Sequence, residues 1–322
     1  MRCLSFLSVS VEKTAQNQLW EQCKTERNNP MTSDSQWDVA AVKQAVAQLT
    51  SVRPAYADII GFYGLVFEAQ VKAAAHTAPE AIHLDESLLA MKSSEGFSLV
   101  EPSVFTVDIP VAQDLLARIC RIAVQSGEKL GLAGEALIRA MEKGEAMDVL
   151  LADVLADRGR ISALAKTMNV LPDMLSLLLY LAVKPSLEMC ARQLATHLAS
   201  SQKSRNSCPI CGSAPIIGEI DMDGRQWMHC GWCWHRWPAK RSVCLFCSNQ
   251  NSAPLEYLYS DDEPEYRVNL CGGCRRYLKV VDTRKMVRRF YPPLEQVGSL
   301  HLDMLAAEGG YTHAVASIYT DP

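Results

Sequence analysis

Four C-x-x-C pairs follow one another along this chain, at Cys208/Cys211, Cys230/Cys233, Cys244/Cys247 and Cys271/Cys274. A two-residue gap lets both sulfurs of one turn face a single point. Two such turns supply the four thiolates of a tetrahedral metal site. Four pairs within 67 residues therefore predict two metal sites, hence two ions per chain. The simplest assignment is sequential: Cys208, Cys211, Cys230 and Cys233 for one ion, Cys244, Cys247, Cys271 and Cys274 for the other. An interleaved pairing, first with third and second with fourth, stays open, although it would knot the hairpins together. Four thiolates suit zinc and iron alike, and the residues by themselves favour structural Zn²⁺. Filled four-cysteine sites keep no open position, so Lewis-acid catalysis is not expected of them.

The cysteines can be read as metal ligands only if they stay reduced. The opening stretch M-R-C-L-S-F-L-S-V-S carries one basic residue, a very short apolar run and Glu12 soon after, which makes a poor signal peptide. A cytoplasmic location is therefore expected, where C-x-x-C pairs serve metals or redox chemistry and not a disulfide framework. The longest apolar stretch, Val170 to Val183, is broken by Pro172 and Asp173 and is shorter than the roughly 20 residues a membrane span needs, so no membrane insertion is expected. Of the other cysteines, Cys3 and Cys23 are scattered, while Cys120 and Cys190 fall in apolar helical patterns and read as small buried residues.

At 322 residues and 48% hydrophobic content, the chain is long enough to bury a core in two domains. Residues 1–36 carry little pattern. Residues 37–203 read as helical: apolar residues recur three and four apart in Trp37 to Leu49, Ala55 to Ala75 and Val111 to Val124. Further helices are expected at Gly134 to Met141, Ala146 to Leu155, Arg160 to Met168, and from Pro172 through a kink at Pro185 to about Ser200. Ser93 to Gly96 and the glycine-rich Gly127 to Gly134 read as loops, and Glu101 to Pro110 as an extended linker. After the polar hinge S-Q-K-S-R-N-S the texture changes. Residues 204–290 give short strands at Ala214 to Ile220, Arg225 to His229, Leu255 to Tyr259 and Tyr266 to Leu270, each beside a cysteine turn. Residues 291–322 end the chain with a helix at Pro293 to Glu308 and a loose tail. The fold expected is an all-helical bundle, then a double rubredoxin-like or zinc-ribbon metal-binding domain, then a short C-terminal helix.

Charge narrows the partners. The net charge is -4 and the pI about 6.0. Between Arg205 and Arg289 there are 13 Lys/Arg against 9 acids, an excess of +4. Two four-thiolate sites holding Zn²⁺ would offset that excess with about -2 each, so no nucleic-acid footprint is expected. Arg284 to Arg289 could still form a local basic patch. Trp227, Trp232, Trp234 and Trp237 cluster around the second pair. They either cover the metal or stand exposed as partner anchors; Trp232, at a knuckle tip between two cysteines, is the one expected to be exposed. His229 and His235 flank the same pair and are not needed as ligands. No phosphate-binding G-x-x-x-x-G-K-[ST], H-E-x-x-H or G-x-S-x-G motif is present, so no catalytic residue is assigned.

The motifs C-P-I-C-G-S-A-P at 208–215, G-R-x-x-x-H-C-x-x-C at 224–233, Trp237 with Arg241 and C-x-x-C at 244–247, C-x-x-C-R-R-Y-L-K at 271–279 and E-G-G-Y at 308–311 resemble the FdhE family of formate dehydrogenase accessory proteins. The helical half is similar only loosely, through R-P-A-Y-A-D at 53–58 and L-L-L-Y-L-A at 177–182. The resemblance implies a cytoplasmic, non-catalytic maturation factor. It would bind the catalytic subunit of a molybdenum formate dehydrogenase and carry iron, with zinc as the alternative. Trp232, Trp234, Trp237, Arg275 and Arg276 are the expected partner contacts, and a homodimer is compatible. Where members often carry Thr-Glu before the tryptophan, this chain has His235-Arg236, reversing the local charge. A rubredoxin-like electron-transfer protein is the competing reading. A nucleic-acid-binding ribbon is a third, which the charge count disfavours.

Overall fold

A computed structural model describes residues 38–156, 158–198, 205–241, 243–247 and 255–313. The expectations for residues 1–36, for most of the polar hinge and for the C-terminal tail lie outside the described residues.

Among the described residues, eight α-helices build the first half: α1 Val39–Val52, α2 Ala57–Ala74, α3 Glu86–Glu95, α4 Ile109–Val124, α5 Glu128–Glu142, α6 Met147–Ala156, α7 Arg158–Met168 and α8 Pro172–Ala195. Aspartates start several of them. Asp38, Asp85 and Asp108 accept hydrogen bonds from the backbone N–H groups of Ala41, Leu88 and Val111, satisfying donors that a helix start leaves free. The hub is α8, which packs against α2, α4, α5, α6 and α7. It is long and apolar enough to cross a membrane by length and composition, but most of it is buried inside the fold, as befits the core helix of a bundle. Pro185 lies inside this helix and has no N–H to donate to the Leu181 carbonyl. Gln70 of α2, itself buried, fills the gap: its Nε2 donates to that carbonyl at 2.7 Å.

Two differences from the sequence reading have clear causes. The glycine-rich stretch is not a loop beyond Gly127; α5 starts at Glu128 and carries Gly131 and Gly134 inside it. A Cβ at Gly134 would come within 2.8 Å of the Cys120 carbonyl oxygen, so these glycines let α5 approach the α4 backbone closely. The helix α3 is not legible in the sequence because few apolar residues recur along it and only Leu89 and Ser93 are buried. Its end fits the sequence, since Gly96 takes φ 88° as the closing residue.

The second half is one continuous sheet: β1 Pro215–Ile220, β2 Gln226–Cys230, β3 Arg236–Pro238, β4 Leu255–Tyr259, β5 Tyr266–Cys271, β6 Arg276–Asp282 and β7 Thr312–His313. The order is β3-β2-β1-β6-β5-β4, with β7 beside β6. Each cysteine module contributes an antiparallel piece. The two are welded by the parallel pairing of β1 with β6, Gly218 opposite Val280. The strand β6 is absent from the sequence reading because Lys279 interrupts its apolar run Tyr277-Leu278-Lys279-Val280-Val281. In the fold that lysine is 0% exposed, with Nζ donating to Asp303 Oδ2 at 2.7 Å and to the Gln296 carbonyl at 2.9 Å. The C-terminal helix is two helices, α9 Pro292–Gly298 and α10 Leu300–Glu308, divided at Ser299. The first returns to pack on α1 and α2 through Tyr291, Leu294 and Val297, while Leu302 and Ala306 of the second cover the sheet.

No seam divides the main core. Side chains of α2 and α4–α8 join Cys208, Ile210, Cys211, Cys230, Trp232, Cys233 and Trp237 in one buried cluster. Backbone bonds reinforce the junction, from Leu99 N–H to the Pro209 carbonyl and from Val100 N–H to the Ile210 carbonyl. Cys120 and Cys190 are fully buried, as their helical pattern suggests.

Candidate metal centres

The eight cysteines gather into two groups in the sequential order, Cys208, Cys211, Cys230, Cys233 and Cys244, Cys247, Cys271, Cys274. The interleaved pairing is ruled out. All sulfurs of a group lie within 4.8 Å of one another. In the first group Cys208–Cys233 and Cys211–Cys233 are 3.7 Å apart and Cys211–Cys230 3.4 Å. In the second, Cys244–Cys274 are 3.6 Å and Cys247–Cys271 3.7 Å apart. A regular tetrahedron of thiolates about 2.3 Å from a metal has edges of about 3.8 Å. The sulfur spacing therefore fits a tetrahedral ion, and each group could hold one.

The knuckles follow a common local rule. The first sulfur of a turn accepts backbone N–H groups from residues that follow it. Trp232 N–H and Cys233 N–H lie 3.3 and 3.4 Å from Cys230 Sγ, and Phe246 N–H lies 3.4 Å from Cys244 Sγ. Such bonds stabilise thiolate charge without a neighbouring cation. In three of the turns a left-handed residue directly follows the second cysteine. Gly212 takes φ 75°, and Trp234 and Arg275 take φ 58° and 55° in the same position although they are not glycine. Burial pushes the Cys208 and Cys233 thiols well up, whereas hydrogen bonds from Cys208, Cys230 and Cys233 hold Cys211 far below its ordinary value. Four sulfurs packed this tightly cannot all carry charge without a cation among them.

The surroundings of the two groups differ. Every cysteine of the first is buried. Trp232 and Trp237 lie in the same core, 7% and 1% exposed, which corrects the expectation of an exposed Trp232 at a knuckle tip. The reason is tertiary: Tyr180 of α8 lies against the Trp232 ring with centroids 5.5 Å apart, and its hydroxyl donates to the Trp232 carbonyl at 2.8 Å. The same hydroxyl accepts from Trp234 Nε1 at 3.2 Å, and Trp234 is half-buried. In the second group Cys247 is exposed and Cys274 only partly buried.

Charges near the first group are settled inside the chain. Arg236 donates through Nε to Glu219 Oε2 at 2.9 Å and through a terminal nitrogen to Oε1 at 3.1 Å, while His229 Nε2 lies 2.9 Å from Oε2. Burial works to raise the Glu219 carboxyl, but the His229 and Arg236 partners outweigh it and hold it at about 2. The reversed charge of His235-Arg236 is thus met by Glu219 in β1. Burial also brings His235 down to about 4, leaving it a neutral neighbour of Cys211 and outside both ligand groups. Of the expected basic patch at Arg284 to Arg289, Arg288 is buried against Glu265, Glu295 and Tyr266, Arg284 pairs with Asp282 at the surface, and Lys285 and Arg289 are exposed. Arg275 and Arg276 are exposed beside the second group. Arg275 stacks on Tyr311, its guanidinium carbon 4.0 Å from the ring centroid, and donates to the Gly309 carbonyl at 2.5 Å.

A helical bundle whose core runs into a two-knuckle metal ribbon, fused in turn to a second ribbon, defines the class: a helical protein with a double rubredoxin-like, zinc-ribbon-like end. The solved structure of the FdhE protein from Pseudomonas aeruginosa shares this fold, with a TM-score of 0.60 and 20% identity over 88% of this chain and 95% of that one. The chain is 32% identical over 111 residues to an FdhE homolog from Aquifex aeolicus, 33% of this chain and 39% of the relative. It is 33% identical over 151 residues to one from Haemophilus ducreyi, 45% of this chain and 48% of the relative. Over these stretches the chain is similar to FdhE homologues, and it shares the fold of the solved FdhE protein. The matched stretches span between two fifths and half of the length of those relatives. No family model matches the chain.

Proposed function

We propose that this chain is a non-catalytic accessory protein that binds the catalytic subunit of a molybdenum formate dehydrogenase in the cytoplasm and serves its maturation. The observation that carries this reading is the similarity to FdhE homologues together with two convergent four-cysteine groups. The groups would each hold iron, with zinc as the alternative, and brace the ribbons as a rigid docking platform. Trp232 and Trp237 serve that rigidity from inside, so contact falls to exposed residues of the last knuckle, Gly272, Gly273, Arg275 and Arg276, and to Trp234 at its edge. The test is affinity isolation of the tagged full chain from its own cytoplasm, with metal analysis. A formate dehydrogenase catalytic subunit should co-purify, and Arg276→Glu should reduce its recovery with metal content unchanged. Recovery of the chain without that subunit, from cells that express it, refutes the proposal. Size-exclusion with light scattering reads whether the chain is a homodimer.

A further inference from the structure

The two cysteine groups share ligands, knuckle hydrogen bonds and sulfur spacing, but they do not share access. A thiolate-bound ion is exchanged when an incoming ligand reaches it and one cysteine lets go, so at least one corner of the tetrahedron must meet solvent. No corner of the first group does: Cys208, Cys211, Cys230 and Cys233 are all buried in the bundle's core. Reaching that ion means opening the packing of Trp232 on Tyr180, and the strand-like bonds of Leu99 and Val100 to the first knuckle. The second group has one exposed corner, Cys247, and one partly exposed, Cys274, with Gly272 and Gly273 exposed at the tip of the last knuckle. Exposed Arg275 and Arg276 stand beside it and favour the approach of an anionic ligand.

We infer that the second group is an exchange site and the first a permanent one. The exchanging ligand is a thiolate or carboxylate. Such a ligand would replace Cys247 Sγ on a bound ion, one donor taking the place of another, and the freed Cys247 would stand open to solvent. No electron moves. The inference rests on the geometry of the ligand groups and not on the formate dehydrogenase reading, and its test needs no client.

The full chain, with the metal it carries when purified, is challenged with excess EDTA while metal per chain is followed by mass spectrometry. A parallel sample takes iodoacetamide, and modified cysteines are mapped over time. One equivalent should leave about tenfold faster than the other or more, because it needs no opening of the main core. Cys247 and Cys274 should be alkylated before any cysteine of the first group, and helical circular dichroism should hold while the first equivalent leaves. A chain purified with one equivalent supports the inference if the protected cysteines are Cys208 to Cys233, and overturns it if they are Cys244 to Cys274. A ratio below tenfold, earlier labelling of the first group, or loss of metal only with loss of helicity also overturns it.

Discussion

The two cysteine groups are built from the same motif and set in opposite surroundings. The first is part of the hydrophobic core: its knuckles touch α8 through Tyr180, and its four sulfurs are all buried. The second lies at the rim of that core, which takes in Leu245 and has Phe246 packed against it, while none of its own cysteines belongs to the core cluster and Cys247 is at the surface. Identical coordination chemistry therefore stabilises two different amounts of structure. Metal binding at a folding-coupled site is worth as much as the structure it organises, so the first group should matter to the whole molecule and the second to its own ribbon.

The largest expected effect is the most direct way to break this contrast. Cys230→Ser removes the sulfur that accepts two knuckle N–H groups at the buried site. Structural zinc sites contribute about 10–16 kcal/mol, which exceeds the roughly 5–15 kcal/mol stability of a typical protein. The variant should be unfolded or insoluble throughout, bundle included. Cys247→Ser should yield folded helices and one metal equivalent. Circular dichroism and metal analysis read both, and equal loss of helicity in the two variants would erase the distinction.

Next in size is Glu219→Gln, which leaves Arg236 and His229 without their shared carboxylate beside the buried site. Removing one partner of a buried ion pair costs about 3 kcal/mol. The pH dependence follows from the sign of the shift. The Glu219 carboxyl is lowered in the fold from its ordinary 4.5 to about 2, so its stabilisation is complete above 4.5. It fades as pH falls toward 2. The difference between chain and variant in urea midpoints should be large at pH 7 and shrink below pH 4.5. A pH-independent difference contradicts the assignment.

Much of this contrast is out of reach of the sequence, for identifiable reasons. Cysteine spacing is local, so the knuckles can be read directly, whereas their grouping depends on how the hairpins pair and is settled by the fold. The helices with regular apolar stripes, such as α1, α2 and α4, are legible in the same way. Lys279 hides β6 because a lysine in a strand is read as solvated unless its partner is known, and Asp303 lies 24 residues on. Gly131 and Gly134 read as a loop because their use, a close approach of α5 to α4, is a property of two helices at once. Trp232 reads as a surface residue because its knuckle tip is exposed in an isolated ribbon; only the placement of Tyr180 buries it.

Tyr180→Phe sharpens that last point with a smaller effect. The hydroxyl donates to the Trp232 carbonyl and accepts from Trp234 Nε1, so its removal takes a partner from two polar groups at the junction of bundle and ribbon. A loss of about 2 kcal/mol is expected, seen as a lower melting temperature with both metal equivalents retained. An unchanged melting temperature would mean that the junction contributes nothing.

The smallest effect concerns the left-handed residue that follows the second cysteine in three of the knuckles. Glycine fills that position after Cys211, whereas Arg275 fills it after Cys274 at φ 55°, a conformation that costs a non-glycine residue about 1 kcal/mol. Two contacts offset that strain at Arg275: its guanidinium stacks on Tyr311 and donates to the Gly309 carbonyl. An exposed cation–π contact is worth about 0.5–1 kcal/mol and the hydrogen bond roughly another 0.5–1 kcal/mol, so Arg275→Gly should lose only slightly more than it relieves. The melting temperature should then barely move, while the segment around Tyr311, freed from its partner, should exchange its backbone amides faster. Arg275→Ala keeps the strain and loses the same contacts, and so should be the less stable of the two variants. If alanine proves equal to glycine, the turn carries no strain. The left-handed position would then be a matter of contacts alone.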